Sequence, residues 1–200
     1  MIAITSTLAW VYCTFDYGID FFFYYSNWAS TMAVITFWLL TFAHGRTHLE
    51  DFQRVAIEMF EVVLAMEYLI NVLYWKLLYD PNMINFNDFT TLRGPFLNHL
   101  MPFIFLNLEM ILNGFTFDFS SNFRHFIKLV FVYLFMNLLG SIYLGSPVYY
   151  FLRFDELKTI LVIAVILVIQ ISIYICLSIV NNHVLKKNVV LKTQPEKEKM

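Results

Sequence analysis

The chain of 200 residues is 60% hydrophobic and 19% aromatic, with 14% charged residues and a formal net charge of −2. Soluble domains run nearer ~45–50% apolar and ~25% charged. A water-soluble globule and a disordered chain are therefore excluded, and so is a nucleic-acid binder, which needs a basic face. What remains is a single transmembrane helical domain over residues 1–185, followed by a polar, charged tail over 186–200.

A bilayer core of ~30 Å takes roughly 20 apolar residues per helix. By that measure the sequence predicts an all-α, polytopic bundle of about six spans, near residues 2–22, 28–44, 55–78, 96–117, 126–146 and 159–182. No Lys or Arg precedes Arg46, so the start has neither the basic region of a signal peptide nor the Arg-rich face of a transit peptide. The first stretch is expected to stay as a span. Asp16 and Asp20 interrupt it, giving either a span with a polar exit or a helix that stops near the interface. The run 21–45 is charge-free, with an aromatic and polar first half, "FFFYYSNW".

The third stretch carries Glu58, Glu61, Glu67, Asn71 and Lys76. Tyr74, Trp75 and Tyr79 sit where an aromatic belt belongs, and Lys76 can snorkel outward. Pro95 suits the first turn of the fourth helix, while Pro102 frees a backbone carbonyl and should bend the helix. Runs 129–152 and 159–185 reach the required length unaided. Cys13 and Cys176 lie in apolar runs as small hydrophobes, with no disulfide framework and no zinc spacing.

Basic residues set the expected orientation. With six spans, one side holds Arg46, Arg54, Arg124, Lys128, Lys186, Lys187, Lys192, Lys197 and Lys199, and the other Lys76, Arg93, Arg153 and Lys158. Both termini are thus expected on the cytosolic (or matrix) side.

Ionisable groups inside a span are costly and are functional candidates. Glu109 is expected about mid-span in the fourth helix, with Asn113 one turn later on the same face. His99 is ten residues earlier, too far to touch Glu109 within one helix, and near the non-cytosolic mouth. The structural alternatives are a paired packing carboxyl for Glu109 and a carbonyl-bonded interfacial imidazole for His99. Glu58 and Glu61 read as interfacial charges, and Glu67 lies deeper. A transporter or lipid-binding scaffold around Glu67 and Glu109 has no motif behind it. His44 and His48 form HxxxH, but His125 and His183 stand alone, so the several histidine boxes of a membrane di-iron enzyme are missing. No metal and no cofactor are expected.

The segment 72–110 contains "VLYWKLLYDPNMI" and then "LNHLMPFIFLNLEM". It resembles the signature of the androgen-induced/androgen-dependent family of multispan membrane hydrolases: an aromatic–Trp pair, a Tyr-Asp loop motif, and a His ten residues ahead of Glu-Met. Here these are Tyr74-Trp75, Tyr79-Asp80, His99 and Glu109-Met110. "GSPVYYFL" at 145–152 is similar to the family's Gly-x-x-Val-Tyr-x-x-Leu run, and "VNNHVLKKN" at 180–188 to its Asn-Asn exit into a charged tail. Likeness is good from about residue 60 onward and weaker upstream.

The resemblance implies an intramembrane threonine-type hydrolase of lipid esters, namely fatty-acid esters of hydroxy fatty acids. His99 would be the general base. The family's nucleophile position falls on "YSNWA", which puts Ser26 where relatives have Thr. Serine offers the same hydroxyl. Thr31 is the alternative if the register slips, Thr36 and Thr41 lie deeper, and a chain without a working nucleophile is the third outcome. Asn27 and Asn98 are candidate oxyanion donors or plain loop amides. Phe21, Phe22, Phe23, Phe103 and Phe105 would line an acyl slot or simply face lipid.

The expected partners are membrane lipids and a lipid ester substrate, with no nucleic acid. The resemblance points to the endoplasmic reticulum or plasma membrane, and a mitochondrial inner membrane is the alternative. The competing function is a catalytically degenerate relative that serves as an accessory subunit among other membrane protein subunits.

Overall fold

The computed structural model describes residues 1–44, 50–80, 91, 94–113 and 117–185, and among these every regular element is helical. The expectations placed on Arg46, His48, Arg93 and the charged tail lie outside the described residues. Helix α1 spans Ile2–Tyr17 and ends because Gly18 turns to φ 54°, where a Cβ is disfavoured. The first stretch is therefore not one continuous α-helix over 2–22. A 3-10 turn over Gly18–Phe23 leads into α2, Tyr25–Ala43.

Helix α3 covers Glu50–Leu73 and loosens into a π-helical turn, Tyr74–Leu78. A second π-helical turn, Gly94–Leu100, feeds α4, Met101–Leu112. Helix α5 is Phe119–Leu144, and α6 is Lys158–Ile179, which runs into a π-helical turn, Val180–Leu185.

Among the described residues, three segments are long and apolar enough to cross a membrane: Pro95–Leu112, Asn122–Leu144 and Lys158–His183. The other expected spans fall short for visible reasons. Helix α1 has 16 residues, α2 carries Ser26, Asn27, Ser30, Thr31, Thr36 and Thr41, and α3 carries Glu58, Glu61 and Glu67.

Helix α3 is nevertheless the centre of the bundle. From residue 60 to 71 every side chain except Tyr68 is buried, the pattern of a helix enclosed on all sides. It packs against α2, α4, α5 and α6. Glu58 behaves as an interfacial charge, 3.7 Å from Arg54. Glu61 does not, and that expectation is corrected: it is 1% exposed. Its carboxylate accepts Asp118 N–H at 2.7 Å, Asn122 Nδ2 at 2.7 Å and the Tyr174 hydroxyl at 2.9 Å. Burial is tolerated because three donors replace water.

The corner between α1 and α2 is held from α5. Phe23 is packed so tightly on Gly140 that a Cβ there would lie 2.5 Å from the Phe23 ring. The Tyr133 hydroxyl donates to the Phe23 carbonyl at 3.2 Å. These contacts fix where α2 begins.

Candidate functional site

A cavity of about 630 Å³ lies between the start of α2, the end of α3, the turn before α4, and the facing sides of α5 and α6. Its size suits a small amphiphilic ligand. Ser26, Asn27, Asn98 and His99 stand on its wall together with six tyrosines, and no charged residue is among its lining.

Ser26 is the second residue of α2. The first N–H groups of any helix lack intrahelical acceptors, and the residue before the helix, Tyr24, gives no side-chain cap. The acceptor comes instead from far along the chain. The Tyr149 hydroxyl oxygen takes the Tyr25 N–H at 3.0 Å. Tyr149 sits in the connection between α5 and α6, where burial pushes its phenol up to about 12. It therefore stays protonated at any physiological pH.

His99 is set by the turn ahead of α4. Pro102 has no N–H to offer the Asn98 carbonyl, and the Ser30 hydroxyl reaches that carbonyl at 3.3 Å. The His99 carbonyl accepts Asn71 Nδ2 at 3.0 Å, and Asn71 Oδ1 accepts the Trp75 indole N–H at 3.1 Å. The imidazole stacks on Tyr74, with ring centroids 3.8 Å apart and planes at 23°. Its Nδ1 is buried without a hydrogen-bond partner, so the carbonyl-bonded imidazole is not observed at that nitrogen. Nε2 is left as the nitrogen that can meet an occupant of the cavity.

Asn27 and Asn98 form a clamp between these two pieces. Asn98 Nδ2 donates to Asn27 Oδ1 at 2.8 Å, Asn27 Nδ2 donates to the Phe21 carbonyl at 3.0 Å, and Ser30 Oγ lies 2.8 Å from Asn98 Oδ1. Both asparagines are buried. Their amides tie the start of α2 to the His99 turn, so they position the wall rather than sit as loop amides.

The other candidate residues are placed elsewhere. Thr31 is outside the cavity wall; its hydroxyl donates to the Asn27 carbonyl at 2.7 Å and accepts the Trp10 indole N–H at 2.7 Å. Thr36 is fully buried and Thr41 donates to the Phe37 carbonyl at 2.7 Å, both away from the cavity. Asp80 follows the π-helical turn and is not part of the wall. Glu109 is in the last turn of α4 rather than mid-span, because Asn113 leaves the helix at φ −102°, ψ 124°. Its carboxylate accepts the Asn113 amide and is not part of the cavity wall.

The expected phenylalanine slot is also corrected, since Phe21, Phe22, Phe23, Phe103 and Phe105 do not line the cavity. All five are engaged by other rings: Phe21 by Trp10 and Phe22, Phe23 by Tyr143, Phe103 by Tyr68 and Phe105 by Phe37. The apolar wall is mainly aliphatic instead, with Leu69, Ile70, Leu73, Ile163, Ile166 and Leu167, and Phe151 is its one phenylalanine.

Among the described residues no group of three His, Cys, Asp or Glu is placed to hold a metal ion. Chemically, the cavity offers a hydroxyl, an imidazole and phenols against an apolar wall. No family model matches the chain, and no curated protein or solved structure does either.

Tyr149, Asn71 and Ser30 were not given roles by sequence reasoning. For Tyr149 a signal existed, its place in the 145–152 run. Asn71 registered only as a polar residue in a span, and Ser30 gave no signal at all.

Proposed function

We propose that the chain is an intramembrane serine-type hydrolase of lipid esters, related to the androgen-induced/androgen-dependent multispan hydrolases, with fatty-acid esters of hydroxy fatty acids as the substrate class. The bundle would place six spans in the membrane of the endoplasmic reticulum or the cell surface, with both termini in the cytosol. One observation carries the reading: Ser26 and His99, on different helices, line the same apolar-walled cavity.

In this reading His99 Nε2 takes the hydroxyl proton while Ser26 Oγ adds to the ester carbonyl. The tetrahedral adduct collapses, the protonated imidazole gives its proton to the departing alkoxide, and water then cleaves the acyl-enzyme by the same route. No carboxylate lines the cavity to orient the imidazole; the Tyr74 stack and the Asn71 bond to the His99 carbonyl do so.

The test uses the purified full-length chain in detergent or nanodiscs. A fluorophosphonate probe should label it, and a long-chain 4-nitrophenyl ester should be turned over. Ser26→Ala should abolish both, whereas Thr31→Ala should keep both. Labelling that survives Ser26→Ala overturns the assignment. A chain that neither labels nor turns over, and that migrates with a large complex after mild extraction, would be an accessory subunit instead.

A further inference from the structure

We propose that the Tyr149 hydroxyl is a catalytic hydrogen-bond donor, which holds the oxyanion formed when Ser26 adds to an ester carbonyl. The proposal rests on the hydrolase reading above and extends it to a residue outside the Ser26–His99 pair.

Position is the first argument. The Tyr149 oxygen accepts the Tyr25 N–H at 3.0 Å, and it shares the cavity wall with the next residue along the chain, Ser26. The nucleophilic Oγ belongs to that same residue. An oxyanion shares its carbon with Oγ, so it forms beside this phenol.

Elimination of other donors is the second. Backbone N–H groups at a helix start are ready-made anion donors, but that of Tyr25 is already spent on Tyr149 and that of Asn27 on the Tyr24 carbonyl. The Asn27 and Asn98 amides each give a hydrogen to a carbonyl oxygen, that of Phe21 and of the Asn27 side chain. The Tyr133 hydroxyl donates to the Phe23 carbonyl at 3.2 Å. The Tyr25 N–H therefore acts on a negative charge in the cavity through Tyr149, while the Asn27 and Asn98 amides are held in the clamp.

Polarisation is the third. A hydroxyl that accepts an N–H bond becomes a stronger donor, because hydrogen bonds in series reinforce one another. At rest the Tyr149 hydroxyl meets only neutral groups, since no charged residue lines the cavity. A charge-assisted bond to an oxyanion is roughly twice as strong, so the proton turns to the substrate only as charge develops. An interaction made only then lowers the barrier without tightening substrate binding. The step balances: the Ser26 O–H bond breaks, its proton goes to His99 Nε2, the Oγ–carbon bond forms, and the carbonyl π pair moves onto the oxygen that Tyr149 bonds without giving up its proton.

The test compares the wild-type chain with Tyr149→Phe, using a long-chain 4-nitrophenyl ester and full-length protein in nanodiscs. Loss of one such donor should lower kcat by about 10²–10³-fold with KM little changed, while slow fluorophosphonate labelling at Ser26 persists. A lower thermal midpoint with an unchanged kcat would make Tyr149 only a cap and overturn the proposal. Should Tyr149→Phe fail to fold, 3-fluorotyrosine at position 149 keeps the hydroxyl and its bonds but makes it a stronger donor. The expected result is a raised kcat, and an unchanged one overturns the proposal. Ser26→Ala separates the two layers. If it retains turnover, the hydrolase reading falls; if it is inactive while Tyr149→Phe keeps full kcat, only the Tyr149 role falls.

Discussion

The Tyr74 ring lies against the His99 imidazole with centroids 3.8 Å apart and planes at 23°. His99 Nδ1 has no hydrogen-bond partner, so under the hydrolase proposal this stacked face would take over the orienting task that a carboxylate performs in an acid–base–nucleophile triad. The face does not need the phenol oxygen. Tyr74→Phe should therefore keep kcat near wild type, and Tyr74→Ala should lower it by up to about 10²-fold, the scale of a 1 Å misplacement. Steady-state turnover of a long-chain 4-nitrophenyl ester by both variants checks this. Equal losses in the two would assign the role to the hydroxyl instead.

Glu61 gathers three elements on one carboxylate: Asp118 N–H, Asn122 Nδ2 and the Tyr174 hydroxyl, all within 2.9 Å. Glu61→Ala removes the common acceptor of all three in a buried place. The expected loss is about 3–5 kcal/mol, as when one partner of a buried charged cluster is deleted. Tyr174→Phe removes one bond and should cost about 1 kcal/mol. Denaturant titration in mixed micelles reads both. A Glu61→Ala loss no larger than that of Tyr174→Phe would mean the carboxylate is not the joint between α3, α5 and α6.

Gly140 has no room for a side chain, since a Cβ would lie 2.5 Å from Phe23 Cγ and 2.8 Å from Phe23 Cβ. These atoms are near the backbone and cannot swing away as a chain end could. Gly140→Ala should destabilise by about 1–3 kcal/mol through overpacking. It should also reduce turnover, because the displaced Phe23 immediately precedes Tyr24 and the start of α2. Retained stability would show that the corner can give.

Much of the bundle was legible because apolar runs and helix length are coupled by the bilayer. The stretches expected at 126–146 and 159–182 coincide with α5 and α6 to within a few residues at most ends. The fine placement of Glu61 and Glu109 was not legible. Burial of Glu61 depends on Asn122 and Tyr174 arriving from distant segments, and the last-turn position of Glu109 depends on where α4 ends. In the site, the matched residues Trp75, His99 and Tyr149 reach one cavity wall or its support. The links between them run through Asn71 and Ser30, whose roles arise only from three-dimensional contact.

Glu67 is the polar group that the structure leaves most exposed to argument. It is fully buried on α3, and neither carboxylate oxygen has a hydrogen-bond partner. It is not part of the cavity wall. A buried polar group without partners costs about 1–3 kcal/mol, while an apolar group of similar length and shape carries no such penalty. Glu67→Met should therefore raise stability by about 1–3 kcal/mol and leave ester turnover unchanged. Glu67→Gln keeps two unpaired polar atoms and should gain much less. The ordering Met above Gln above wild type in a denaturant titration is the expected outcome. A loss of stability in Glu67→Met would show that the carboxyl holds a bound water or cation in the folded protein, and that its retention serves that ligand rather than packing.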